Sequence, residues 1–141
     1  MSTLIEDVQN KDMVPVDITI PGTSAQTAGN FGHFFIVKRP YEVMEVAEVH
    51  AVAGTSGSAV TLQLERLRGT QAKGSGTNIL ATAFDLRGTA NTVVDKTGTL
   101  LQNRILQPGD RLCLNQSGTL TALEQVAVSI ILKPLGKGSY F

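Results

Sequence analysis

Tryptophan is absent from this chain of 141 residues, cysteine occurs once, and aromatic residues make up 5%. A single cysteine, Cys113, excludes a disulfide framework within the chain and any zinc site built from several thiolates. The scarcity of rings leaves no visible aromatic platform for a sugar. An excess of one charge is missing too. Twelve basic and twelve acidic residues cancel, with no long run of either sign. Phosphate-backbone binding draws on a basic patch, so no nucleic-acid partner is expected. Long apolar runs are also lacking. The stretch from Val126 to Leu132 is strand-sized, far short of a membrane span, so no membrane partner is expected. The opening MSTLIEDVQNKDM has no basic start followed by an apolar stretch. No secretory signal is therefore expected, and the reading is a soluble chain made in the cytoplasm.

What the chain does have is turn-and-strand punctuation. Seven of its fourteen glycines, at 22, 54, 69, 76, 88, 98 and 118, are followed directly by threonine. Glycine suits tight turns and threonine suits pleated strands, so each pair reads as a turn ending and a strand beginning. Between them lie the strands. Val14, Val16, Ile18 and Ile20 alternate with polar residues, and Pro15 marks that strand as an edge. Phe31 to Lys38 is apolar on both faces and predicts a buried strand. Glu42 to Ala53 reads as a strand, and AGTSGS then turns the chain into Ala59 to Leu67. There Val60, Leu62 and Leu64 face inward while Thr61, Gln63 and Glu65 face outward, which predicts a hairpin. Residues 69–78 predict a long mobile loop, with a short helical turn from Ile79 to Phe84. Further strands are expected at Ala90 to Val94, as extended chain from Thr99 to Leu106, at Arg111 to Asn115 after a QPGD turn, and at Val126 to Leu132 before Lys133-Pro134 stops the run.

The domain plan is therefore an N-terminal arm (1–13), one all-β domain (14–134) and a C-terminal tail (135–141). Eight or so short strands joined by turns predict a jelly-roll-like β-sandwich.

Catalytic signatures do not emerge. His33 and His50 lie in strand patterns without HxH, HxxxH or CxxC spacing and read as core-edge or interface residues; no metal or cofactor is expected. Cys113 sits between two inward leucines and reads as a small filler on the opposite face of its strand. Asp85, Asp95 and Asp110 stand at turns, where aspartate bonds its own backbone. Arg66, Arg68 and Lys73 read as a solvated basic strand end rather than an anion site. GSGT at 74–77 lacks the lysine and the following helix of a phosphate loop. The chain reads as a binding protein and not an enzyme. Tyr140 and Phe141 end the glycine-rich tail, and the expectation is that they dock on a neighbour. Val14, Val16 and Ile18 join them as candidate contacts with a partner or subunit, on an edge strand suited to pairing between chains.

One long block carries a resemblance. Its most telling pieces are the AGT-to-strand segment at 53–67, TAFDLRGTANTV at 82–93, and the LQPGDRLCL strand entry at 106–114. Over residues 30–134 the chain resembles capsid decoration (cement) proteins of tailed bacteriophages, and is similar also to the head-spike base proteins of phage-like gene-transfer agents. The resemblance implies a non-enzymatic virion component with a jelly-roll-like sandwich. It would sit on the capsid surface as a homotrimer, with the major capsid protein as partner, and clamp neighbouring capsid subunits. The alternative it implies is a head-spike base or fibre-attachment protein that engages a host surface, and a sugar-active jelly-roll hydrolase is a third reading.

Overall fold

The computed structural model describes residues 13–20 and 26–136. Most of the expected arm, and tail residues 137–141 with Tyr140 and Phe141, lie outside them. The strands are β1 (Val14–Ile20), β2 (His33–Ile36), β3 (Tyr41–Val52), β4 (Thr61–Leu67), β5 (Thr77–Asn78), β6 (Phe84–Asp85), β7 (Val94–Asp95), β8 (Ile105–Leu106), β9 (Arg111–Ser117) and β10 (Glu124–Pro134). Helix among the described residues is confined to three single 3-10 turns.

The pairing is that of one long hairpin folded over on itself. β1 pairs with β10, β2 with β9, β3 with β8 and β7, and β4 with β6 and β5, all antiparallel. Two five-stranded sheets result. One runs β1-β10-β3-β7 with β8 also on β3, and the other runs β2-β9-β4-β5 with β6 also on β4. β1 to β4 alternate between the sheets, as do β9 and β10, which is the wrapping of a jelly-roll sandwich. The expected all-β sandwich is the fold.

Period-two alternation builds the core. Val60, Leu62 and Leu64 from one sheet meet Val126, Val128, Ile130 and Leu132 from the other in a single buried cluster. Burying each such side chain contributes roughly 1.5–3 kcal/mol, enough for the cluster to outweigh the short strands around it. QPGD forms its turn: the Asp110 amide donates to the Gln107 carbonyl at 2.9 Å, and Gly109 takes φ of 93°.

Several expectations fail locally, each for a physical reason. β3 and β4 do not form a hairpin. The segment between them crosses from one sheet to the other, tied by the Gly54 amide to the Leu86 carbonyl (2.9 Å) and the Thr55 amide to the Thr121 carbonyl (3.0 Å). Phe31–Lys38 shrinks to the edge strand β2, which is not buried on both faces, since Ile36 is 61% exposed. The turn expected at Ile79 to Phe84 is not helical. Gln63 instead holds the segment against β4, its amide donating to the Leu80 carbonyl and its oxygen accepting from the Leu80 amide. The strand expected at 90–94 is only Val94–Asp95, and much of 99–106 is 3-10 turn. Lys133-Pro134 does not stop β10, because β1 ends opposite Leu132 and the proline faces no ladder on that side.

The glycine–threonine pairs also play fewer roles than their repetition suggests. Of those described, only Gly76-Thr77 opens a strand. A methyl group at Gly76 would sit 2.3 Å from Leu67 Cδ2 and 2.6 Å from the Arg66 carbonyl. At Gly118, φ is 96° and the same atom would fall 2.2 Å from the Ala59 carbonyl. Close backbone approach demands glycine at both positions.

Candidate interaction surfaces

Chemistry-bearing residues are tied into the framework one by one. His50 and Glu48 lie on the core-facing parity of β3 and are 1% exposed each. His50 Nδ1 and Glu48 Oε2 stand 2.8 Å apart across a shared proton, and His50 Nε2 donates to the Gly88 carbonyl at 2.9 Å. Both ring nitrogens are engaged, so neither is free to serve as a base toward a nucleophile. Burial pushes the Glu48 carboxyl above its ordinary range; the His50 contact opposes that shift and Asp85 adds to it. Glu48 Oε1 is buried with no hydrogen-bond partner. The pair fastens the 86–91 segment to β3, helped by the Asn91 amide donating to the His50 carbonyl at 2.8 Å. His50 thus belongs to the core, while His33 is exposed beside Arg111, with Nη1 to Nε2 at 2.9 Å. The parity shared by Val46, Glu48 and His50 was present in the sequence, but polar side chains on a strand are ordinarily assigned outward.

The aspartates behave as turn residues. Asp85 Oδ1 accepts from the Arg87 amide at 2.9 Å, and Asp95 accepts from the amide and hydroxyl of Thr97, which lowers its pKa. Asp110 accepts from the Gln107 amide at 2.8 Å and pairs with Arg68 Nε at 2.9 Å. The basic group is partly solvated, with Arg68 46% exposed, and its members also hold backbone and carboxylate. Lys73 Nζ donates to the carbonyls of Ala28 and Phe31, and Arg66 Nη1 reaches the Ile105 carbonyl at 3.4 Å. Among the described residues, no three or more His, Cys, Asp or Glu side chains group as a metal site.

The outward face of the β2 sheet is closed by its own chain. Residues 69–76 lie against it before 77–78 join the sheet as β5, so the expected mobile loop is a pinned flap. Glu65, 2% exposed, accepts from the amides of Gly74 (2.9 Å) and Gly76 (3.3 Å). Arg111 Nη2 donates to the carbonyls of Gly69 (2.8 Å) and Gln71 (3.1 Å). Cys113 is fully buried, and burial, with Glu65 nearby, pushes its thiol up to about 11. Such a thiol is inert filler, as expected of the residue.

Among the described residues, the outward face of the β1 sheet is bare. Thr19, Ala127 and Val49 form one cross-strand row; Asp17, Ser129, Ala47 and Asp95 form the next. Val49, Ala51 and Ala127 help line an open, mainly apolar hollow of about 350 Å³, with Val93, 68% exposed, at a neighbouring one. Of the candidate contact residues, Val14, Val16 and Ile18 are half-buried against the core, so their side chains point inward, while their strand stands at a sheet edge.

Comparisons with family models, with curated proteins and with solved structures find no match to this chain.

Proposed function

We propose that this chain is a structural virion protein that binds the outside of a tailed-phage capsid and stabilises contacts between capsid subunits, acting as a homotrimer. The observation that carries the reading is the contrast between sheet faces. The titratable clusters described above are engaged in holding the fold together, and the outward face of the β1 sheet, with small Ala47, Val49 and Ala127 at its centre, has no cover among the described residues. Such a molecule is equipped to adhere. The sequence resemblance over residues 30–134 supplies the class of surface it adheres to. Three copies of one contact engaging together would multiply a weak individual affinity.

The test is a cryo-EM map of particles carrying the chain. Density for it in many copies, each touching more than one capsid subunit, is the expected result. Confinement to a single vertex or to the tail would replace decoration with the spike-base or fibre-attachment role.

A further inference from the structure

Two surfaces of this molecule complement each other in shape and in charge, and they lie on different sheets. The first is the bare face of the β1 sheet, centred on Ala47, Val49 and Ala127. Its exposed charges are Asp17, Glu45 and Asp95, all acidic; the nearest bases along the strands, Lys96 and Lys133, are half-buried at its ends. The second is β2, the terminal strand of the other sheet, whose outer edge pairs with no strand among the described residues. It presents Ile36, 61% exposed, with Phe34 and Phe35 half-buried beside it and a hollow of about 370 Å³ along the strand. Its flanking charges are basic: Lys38 and Arg39 are exposed, with the Arg39 guanidinium 5.9 Å from the Tyr41 ring centre. Two acids near it are already paired: Asp110 is buried and held by Arg68, and Glu42 is held by Arg104.

We infer that copies of this chain associate head to tail, the β2 edge of one copy seating Ile36 against the small-residue face of the β1 sheet of the next. Charge decides this arrangement. Face against face would set Asp17, Glu45 and Asp95 against themselves, and edge against edge would do the same with Lys38 and Arg39. Only face against edge joins opposite signs around an apolar centre. The small side chains at Ala47, Val49 and Ala127 leave room for a protruding isoleucine. A contact between unlike patches is heterologous, so it closes into a ring when the rotation allows. The inference rests on the homotrimer of the proposed function and gives the bare face to a neighbouring copy, leaving the capsid contact to other surfaces of the assembly.

Sedimentation equilibrium of the purified chain tests it. The wild type is expected to associate with rising concentration, and less in high salt, where exposed charges are screened. Ile36→Asp and Ala127→Arg should each weaken association by roughly tenfold or more. Mixed in equal amounts, the two variants should form a heterodimer and stop there, because each keeps one intact patch. Asp17→Lys should weaken association as well, and adding Arg39→Glu should restore it; this exposed pair decides the matter if either apolar-patch variant fails to fold. A wild type that stays monomeric at high concentration overturns the inference, as does association indifferent to Ile36→Asp or an unrescued charge reversal. A monomer that still decorated particles would overturn it together with the homotrimer, and leave the capsid-binding role standing. A ring that failed to bind particles would do the reverse.

Discussion

The two sheets each turn one face toward the core, but their outward faces have opposite fates. On the β2 sheet, Gln63, Glu65 and Arg111 spend hydrogen bonds on the backbone of residues 69–80, and Cys113 is buried beside Glu65. On the β1 sheet, Ala47, Val49, Ala51 and Ala127 meet no such cover among the described residues. The polar face is buried and the apolar face is open, the inverse of what hydropathy alone would assign. Polar residues serve as anchors when a chain segment must be held by its backbone, because amides and carbonyls need partners. A face of small apolar residues offers no such anchors and suits contact with another surface. The difference separates a self-contained face from an interactive one.

The contrast can be broken most severely from the covered side. Gly76→Val forces a side chain into Leu67 and the Arg66 carbonyl, and should cost about 3 kcal/mol or more in urea unfolding. Hydrogen exchange concentrated in 69–83 would localise the loss to the flap. Next comes Glu65→Ala, which leaves the amides of Gly74 and Gly76 without their acceptor. A loss of about 2 kcal/mol is expected. Cys113 should then react faster with a thiol reagent, since removing Glu65 takes away one cause of its raised pKa and loosens its cover. Unchanged labelling would show that the flap is held by other means.

Glu48 supplies a smaller, pH-dependent effect on the core side of β3. Its carboxyl is raised above the ordinary 4.5 by burial, so the folded chain holds that proton more tightly than the unfolded chain. The associated stability is fully present below pH 4.5 and lost as pH rises through the raised value. Glu48→Gln keeps a neutral side chain at every pH. Measured against it, the wild type should lose stability as pH rises above 4.5, and parallel pH profiles for the two would refute the assignment. The smallest effect belongs to the bare face. Val49→Thr should change the stability of the isolated chain by no more than about 0.5 kcal/mol. A large loss there would mean that the face is covered after all.

The strands with long alternation were legible before any coordinates. β1 spans the residues expected, and the inward sets of β4 and β10 are those the alternation picked out, because burying every second residue imposes a period of two on the sequence. The two-residue strands β5 to β8 were not legible, since two residues cannot show a period. The Glu48–His50 pair and buried Glu65 were read too simply. Residue type argues for solvent, and only the neighbouring segments 86–91 and 69–83 supply the hydrogen bonds that make burial affordable.

The sequence by itself determined that the chain is all-β, which residues of its long strands form the core, and that Cys113 lies opposite Leu112 and Leu114. These follow from local alternation and turn chemistry, which act over a few residues. The tertiary structure alone decided which sheet each strand joined, where the chain crossed between sheets after Val52, and which outward face was closed. Those outcomes depend on contacts between residues far apart in sequence, such as Gly54 with Leu86 and Lys73 with Phe31, and no local pattern encodes them.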